Sequence, residues 1–573
     1  MNNVNNKNRV GGLLVPLFAL RGKKDLGCGN VGALKEFIDW SASYGFRLVQ
    51  LLPVNETGAD NSPYNAISSV ALEPTTIDLY ACEDIKTEEI DAIAGLHGVD
   101  KLREGSTHWA ELKALNRLIL RKAFEAFKNG TSKVHFKRKK EFDAFTNTER
   151  SWINGYALFR VLMDRYHCEQ WDLWPESVGN YVKSTAWIES LSASERAAID
   201  DEVLFFQYVQ WIAFQQWAEV KAYADQKGVQ LMGDVPFGVN YYSADVWTNP
   251  ELFNLQWSGG APPEPAFVGD EFTRRWGQNW GVPLYNWDIH RAQGFAWWLQ
   301  RVRKVGIMFH MFRIDHVLGF YRIYGFPWRP QRNTEFAYLN EEQARTLSGG
   351  ELPRFHDRPD NTPEQKQFNR EQGEVLLKIL QGEAGQGALV GEDLGTVPDY
   401  VRPSLLSLGI AGFKVPIWEE EPDRSLTPGS EYADCTISTY ATHDHDPLRV
   451  MWERWMTLIE TALTNPEIGQ DRDRAWWEVR RLANWAGFEV PHIMTFDAVH
   501  ELLLDALFRS NSRIAIVMIT DLLGTSQRFN VPGEVSEANW SSRLAVQVAE
   551  LSSNASDAQK LGRIRDLLTS SGR

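Results

Sequence analysis

Three carboxylates stand at positions where chemistry is done: Asp315, Glu392 and Asp444. They occur in Phe312-Arg313-Ile314-Asp315-His316, Leu389-Val390-Gly391-Glu392-Asp393 and Thr439-Tyr440-Ala441-Thr442-His443-Asp444. Each lies at or just past the end of a short apolar run that reads as a strand. Acidic groups at the C-terminal ends of several parallel strands face the mouth of a (β/α)8 barrel, where such folds carry their active sites. A nucleophile, a proton donor and a third carboxylate form the set that cleavage of a glycosidic bond with retention requires. Arg313 precedes Asp315 by one β-period, so it puts a fixed positive charge on the same strand face and favours an ionised carboxylate. Glu392 has Asp393 beside it and ends an apolar run. Both features raise a carboxyl pKa, as a general acid needs.

Other chemistries remain open on these residues. His443 and His445 have the spacing of metal ligands on a strand, but no third and fourth ligand stands out nearby. Gly27-Cys28-Gly29-Asn30-Val31-Gly32 matches the dinucleotide-binding fingerprint and Glu56 lies near where a ribose-binding acid belongs. Six residues, 21–26, separate those glycines from the preceding strand, so the tight phosphate-binding turn is missing. No cofactor and no metal is expected. Three further segments combine rings with amides and hydroxyls: Ser62-Pro63-Tyr64, Gly277-Gln278-Asn279-Trp280-Gly281 and Arg528-Phe529-Asn530-Val531-Pro532-Gly533. Rings cover the C–H faces of sugars, and polar side chains bond their hydroxyls.

The elements that must position these groups follow from the apolar pattern. Eight short runs read as strands: 13–18, 48–53, 230–235, 311–314, 388–391, 412–417, 436–440 and 514–521. Helical spacing lies between several of them. Leu34, Phe37 and Ile38 mark one helix face; Leu204, Phe205, Tyr208 and Ile212 mark another, with Gly228 as its stop. Strand–helix alternation predicts a parallel sheet, and eight units predict a closed α/β barrel, a (β/α)8 TIM barrel with helical insertions around its C-terminal face. The 573 residues then form a single catalytic barrel domain over 1–573. Its insertions fall at about 82–202 (mostly helical), 240–290 (a lid region over the binding cleft) and 324–370 (an irregular excursion). Helical patterns cover 108–129 and 148–167.

Composition narrows the partners. A net charge of −15 argues against nucleic acid and against an anionic membrane surface. No run approaches the ~18 apolar residues of a membrane helix. Four scattered cysteines form no disulfide framework, which suits a reduced compartment, so a soluble cytoplasmic protein is expected. The apolar run at 11–20 precedes Arg21-Gly22-Lys23-Lys24 instead of a cleavage site and reads as a strand, not a leader. Oligomeric state is not legible.

With these residues in view, the chain resembles the 4-α-glucanotransferases of the amylomaltase, or disproportionating-enzyme, family, which is related to the α-amylases. The resemblance runs from about Gly11 to Arg543. It rests on Gln50-Leu51-Leu52-Pro53, Ser62-Pro63-Tyr64, Gly233-Asp234-Val235-Pro236, Ser243-Ala244-Asp245-Val246-Trp247, Gly277-Gln278-Asn279-Trp280-Gly281, Arg313-Ile314-Asp315-His316, Gly391-Glu392-Asp393-Leu394-Gly395-Thr396-Val397-Pro398, Thr442-His443-Asp444 and Asn530-Val531-Pro532-Gly533. The resemblance implies a (β/α)8 fold and transfer between α-1,4-glucans or maltooligosaccharides. By the same resemblance Asp315 is the nucleophile, Arg313 its charge partner, Glu392 the acid/base, and Asp444 the carboxylate holding donor-sugar hydroxyls, with His443 beside it. Tyr64 would stack on the donor sugar, and Asp234, Asp245, Trp280 and Asn530 would contact sugar. Four departures bear on donor length, acceptor preference and product size. Tyr242 stands where the family usually has Asp, Pro262-Pro263-Glu264 with a longer run to Gly277 stands where Pro-Pro-Asp is expected, Arg528-Phe529-Asn530-Val531-Pro532-Gly533 replaces Arg-Met-Asn-Thr-Pro-Gly, and the 324–370 excursion is larger than the family implies. A hydrolase using the same carboxylates and a catalytically silent glucan-binding protein are the alternatives.

Overall fold

The computed structural model describes residues 9–264, 270–356, 358–385, 387–462, 467, 469–533 and 536–573. Twelve strands are found among them, eight in one parallel sheet: β1 (Val10–Leu14), β2 (Leu48–Gln50), β3 (Gln230–Val235), β6 (Met311–Ile314), β9 (Leu389–Gly391), β10 (Gly412–Lys414), β11 (Thr436–Ser438) and β12 (Ile514–Met518). The order is β10-β11-β12-β1-β2-β3-β6-β9, so each strand lies beside its neighbour in sequence within this set and β1 pairs with β12. Each of the eight apolar runs of the sequence overlaps one strand of this sheet, but several strands end earlier than the runs: β1 covers Val10–Leu14 and gives way to a 3-10 turn at Leu17–Ala19, and β12 stops at Met518, where the helix Ile519–Leu523 begins. Parallel strands are covered on both faces, so most of their residues are buried, as in the wholly buried and apolar β12, and the polar exceptions include Asp234 on β3 and Arg313 on β6.

Between β9 and β10 the wall is held by little. Val390 and Ala411 form a single parallel bridge, and Gly391 N–H donates to Ala411 O at 2.9 Å. The side chain of Asp393 adds a further stitch, Oδ1 accepting from Phe413 N at 2.6 Å.

Helices position the loops above this sheet. The helix Val31–Ser43 begins at Asn30, whose side chain accepts from Ala33 N, and buries Leu34, Phe37 and Ile38. At Gly29 a Cβ would come within 2.0 Å of Leu17 O. The glycine run is therefore spent on close chain packing. The helix Ala193–Lys227 carries a capping box between Ser192 and Glu195 and ends at Gly228 with φ 64°. Phe205, Tyr208 and Ile212 are buried in it, but Leu204 is 40% exposed, a correction to the face read from spacing. Leu204 directly precedes Phe205, one 100° step around the helix, and falls beyond the edge of the buried stripe. The long insertion between β2 and β3 contains the helices Thr87–Leu96, Trp109–Asn129, Lys133–Tyr166 and Tyr181–Ser190.

A second, antiparallel sheet pairs β4 (Phe253–Ala261) with β5 (Gln278–Tyr285) and β7 (Tyr324–Phe326), and β7 with β8 (Arg354–Phe355), in the order β5-β4-β7-β8. Segment 324–370 is thus organised instead of irregular. Its Phe326, Trp328, Phe336 and Ala344 form a small separate core with Phe272 and Trp276 of the helix Glu271–Trp276, and Trp328 stacks on Phe336. Strands of two and three residues are too short to show a period in sequence. Asp357, at the centre of that segment, lies outside the described residues. All four cysteines are free thiols. Among the described residues no helix is long and apolar enough to cross a membrane.

Candidate active site

Asp315 is the first residue beyond β6. Its backbone N–H donates to Val235 O at 3.0 Å, one step past the last paired residue, so the sheet fixes its Cα. Its carboxylate lies 2.7 Å from Arg313 Nη2, while Arg313 Nη1 donates to Asp234 Oδ2 at 2.6 Å. The strands dictate both contacts: Arg313 and Asp315 share a face of β6, and Asp234 pairs with Arg313 in register. Burial works against a charged Arg313, but Asp234 and Asp315 outweigh it and hold its pKa well above the ordinary value. The guanidinium is therefore a permanent cation between two carboxylates. Asp315 keeps 30% of its side chain exposed, whereas Arg313 and Asp234 are buried behind it.

Glu392 is the first residue beyond β9, and its N–H donates to Ile314 O at 3.0 Å. Its Oε2 accepts from His316 N at 2.8 Å and its Oε1 from Leu394 N at 3.1 Å. Burial pushes its pKa up. Arg313 and the His316 N–H pull it down, and Asp315 and Asp393 push it up again, to about 8. At neutral pH Glu392 holds its proton beside the ion-paired Asp315. Their environments set two carboxyls apart, one a proton donor and one paired with a cation.

Asp444 lies in the loop after β11. Its Oδ1 accepts from Asn530 Nδ2 at 2.6 Å, and its Oδ2 lies 3.2 Å from His443 Nε2. Burial raises its pKa, but the charge and hydrogen bond of His443 and the amide of Asn530 outweigh burial and hold it well below the usual carboxylate range. Tyr64 closes this side. Its hydroxyl donates to Asp234 Oδ2 at 2.6 Å, and its ring stacks on His443 with centroids 5.0 Å apart and planes at 11°. Asp234 Oδ2 thus receives both Tyr64 and Arg313, and its buried Oδ1 has no hydrogen-bond partner among the described residues.

Trp280, on β5, is 38% exposed, and its indole meets the His316 ring at 4.7 Å and 80°. His316 itself has φ 47°, ψ 54°, an uncommon left-handed turn for a non-glycine residue directly after Asp315. Burial lowers its pKa to about 4, so its ring is neutral.

The fold brings Tyr64, Asp234, Arg313, Asp315, Glu392, His443, Asp444, Asn530 and Trp280 into one connected group. Asp245 is different. Its Oδ2 accepts from Ser69 N at 2.7 Å, and its Oδ1 accepts from Ser69 Oγ at 2.6 Å and Trp297 Nε1 at 3.1 Å. Its buried position in the first turn of Ala244–Thr248 makes it a tie between that helix and the loop after β2. The two histidines diverge: His443 faces Asp444 and Tyr64, while His445 Nδ1 contacts Thr442.

Sequence reasoning gave no individual role to Arg528, His316 or Glu264. Arg528 Nη2 donates to Asp444 O at 2.8 Å, Nη1 to Asp446 Oδ1 at 2.6 Å and Nε to Asn530 O at 2.6 Å, which locks the two loops together. Its position two residues before Asn530 was the available signal. Glu264 Oε1 accepts from Thr396 N at 3.0 Å and Thr396 Oγ1 at 2.9 Å, tying the end of the lid strand to the loop that carries Glu392. No spacing in sequence connects those two.

Residues 15–548 match a family model described as 4-alpha-glucanotransferase. A 4-alpha-glucanotransferase of Chlamydia caviae is 29% identical, over 94% of this chain and 91% of the relative. One from Thermus thermophilus is 28% identical, over 94% and 95%. Among solved structures, the amylomaltase of Streptococcus agalactiae in complex with acarbose matches with TM-score 0.72 and 22% identity over 99% of each chain. That of Corynebacterium glutamicum matches with TM-score 0.74 and 20% identity, over 98% of this chain and 75% of the other.

Proposed function

The chain belongs to the 4-alpha-glucanotransferase family, and on that footing we propose that it moves α-1,4-glucan segments by double displacement with retention. The observation that carries the reading is the pairing of a cation-held Asp315 with a proton-bearing Glu392 on adjacent strands. An Asp315 oxygen attacks the anomeric carbon of the donor. The glycosidic C–O bond breaks as its oxygen takes the Glu392 proton, and a glucosyl ester forms on Asp315. The 4-hydroxyl of an acceptor glucan or glucose then attacks the same carbon, gives its proton to Glu392 and releases Asp315. Arg313, 2.7 Å from the Asp315 carboxylate, orients it before attack and stabilises it as a leaving group afterwards.

Asp444, held anionic by His443 and Asn530, sits where it would grip donor hydroxyls and face the positive charge that develops on the sugar. Tyr64 supplies a ring face and Trp280 a partly exposed ring on the far side of His316. Asp234 acts from behind, bracing Tyr64 and Arg313. Asp245 has a bracing role only.

Incubation with maltotriose tests this reading. A ladder of longer maltooligosaccharides plus glucose, with no matching gain in reducing ends, is expected. Shorter sugars alone, with rising reducing ends, would make the protein a hydrolase; silence toward maltotriose and amylose alike would leave a binding protein.

A further inference from the structure

Arg329 follows β7, and three insertions meet on it. Its Nη1 donates to Asp172 Oδ2 at 2.8 Å, in the helical insertion, and to Tyr242 Oη at 3.1 Å, in the loop after β3. Its guanidinium carbon lies 4.5 Å from the ring centroid of Tyr241. Tyr241 is also stacked on Trp171 at 5.3 Å and 9°, and Trp171 Nε1 donates to Tyr241 O at 2.9 Å. A cation over a ring and a partly exposed charged pair join the three insertions here.

Two separate paths lead from Arg329 to the catalytic group. On one, Tyr242 N donates to Asn240 Oδ1 at 2.8 Å, and Asn240 Nδ2 donates to the backbone oxygen of Asn65, the neighbour of Tyr64. On the other, Pro330 follows Arg329 and packs at Gly281, where an added Cβ would stand 3.1 Å from Pro330 Cγ. Gly281 has φ +80° and adjoins Trp280, whose ring meets His316 beside Asp315. Arg329 is therefore linked, through the chain neighbours Asn65 and Gly281, to the segments that carry Tyr64 and Trp280.

We propose that Arg329 is a positioning residue that fixes the spacing of Tyr64 and Trp280 and thereby sets how the glucosyl ester divides between sugar and water. This rests on the function proposed above. In either fate the Asp315 ester C–O bond breaks, a new C–O bond forms at the anomeric carbon, and the attacking hydroxyl proton passes to Glu392. A sugar 4-hydroxyl needs its ring held in one orientation; water does not. Loosening the platforms costs the acceptor more than it costs water.

The test compares wild type, Arg329→Ala, Arg329→Lys and Tyr242→Phe on maltotriose. It reads new reducing ends per cleavage, and the KM of glucose as acceptor from an activated donor. Counting per cleavage cancels any loss of folded protein. Arg329→Ala is expected to raise hydrolysis per cleavage several-fold and to raise the acceptor KM. Arg329→Lys, which keeps the charge beside Asp172, recovers part of both, and Tyr242→Phe gives a smaller shift in the same direction. If wild type disproportionates and Arg329→Ala divides its intermediate identically with the same acceptor KM, the inference is overturned. If wild type makes no longer sugars, the proposed function fails and takes this inference with it.

Discussion

His316 donates its backbone N–H to Glu392 Oε2 at 2.8 Å, so the residue that follows Asp315 holds the carboxyl group of Glu392. The proposed nucleophile and acid are thereby coupled through one peptide unit, and the left-handed turn at His316 directs that unit. No substitution short of proline removes a backbone donor. The relative placement of the two carboxyls is built into the pairing of β6 with β9.

The alkaline limb of activity should belong to Glu392. Its folded pKa is raised from an ordinary 4.5 to about 8, so the acid form persists at neutral pH and is lost as pH rises through about 8. A fall in kcat/KM with that midpoint on maltooligosaccharides is expected, and a flat profile through pH 8 would contradict it. The same shift is a stability statement. The raised pKa gives stability that is fully present below about 4.5 and is lost as pH rises through about 8. Urea melts of Glu392→Gln should lose that part of the pH dependence.

Glu392→Gln should lower turnover of maltooligosaccharides by roughly 10²–10⁴-fold. The loss should be small with a glycosyl fluoride, whose leaving group needs no proton. Steady-state rates on both donors decide this; equal losses would remove Glu392 from the acid role.

Asn530→Ala should cost about 10–100-fold in kcat/KM, the worth of a hydrogen bond to a charged group. Asn530 is the amide on Asp444 Oδ1, and without it Asp444 keeps only His443. Asn530→Asp should be worse, since it places a like charge 2.6 Å from that oxygen. An Ala variant as active as wild type would show that Asp444 needs no such holding.

Asp393→Ala should act on stability. The Asp393 carboxyl accepts from Phe413 N at 2.6 Å and pairs with Arg402 at 3.1 Å, where only one backbone bridge joins β9 to β10. Losing it strands a buried N–H and is expected to cost about 1–3 kcal/mol. Thermal or urea unfolding measures this; an unchanged midpoint would mean that the wall needs no stitch.

The eight barrel strands were legible because parallel strands buried on both faces are short, unbroken apolar runs, as at Ile514–Met518. The rim position of Asp315 and Glu392 followed from those runs. The second sheet was not legible: β7 and β8 have three and two residues, and β7 owes its pairing to β4 and β8 its pairing to β7. Nor was the burial of Asp245, because Ser69 and Trp297 are brought to it only by the fold. Tertiary ties of this kind, Arg329 to Asp172 included, leave no spacing in the chain.

The most direct test of the account is to trap the ester. Glu392→Gln is mixed with a maltosyl or maltotriosyl fluoride, quenched in denaturant and digested, and the peptides are weighed. The expected result is one glucan-sized mass increase on the peptide containing Asp315, absent when Asp315→Asn is added. An adduct on another residue, or turnover to a product of inverted configuration with no adduct, would contradict double displacement through Asp315.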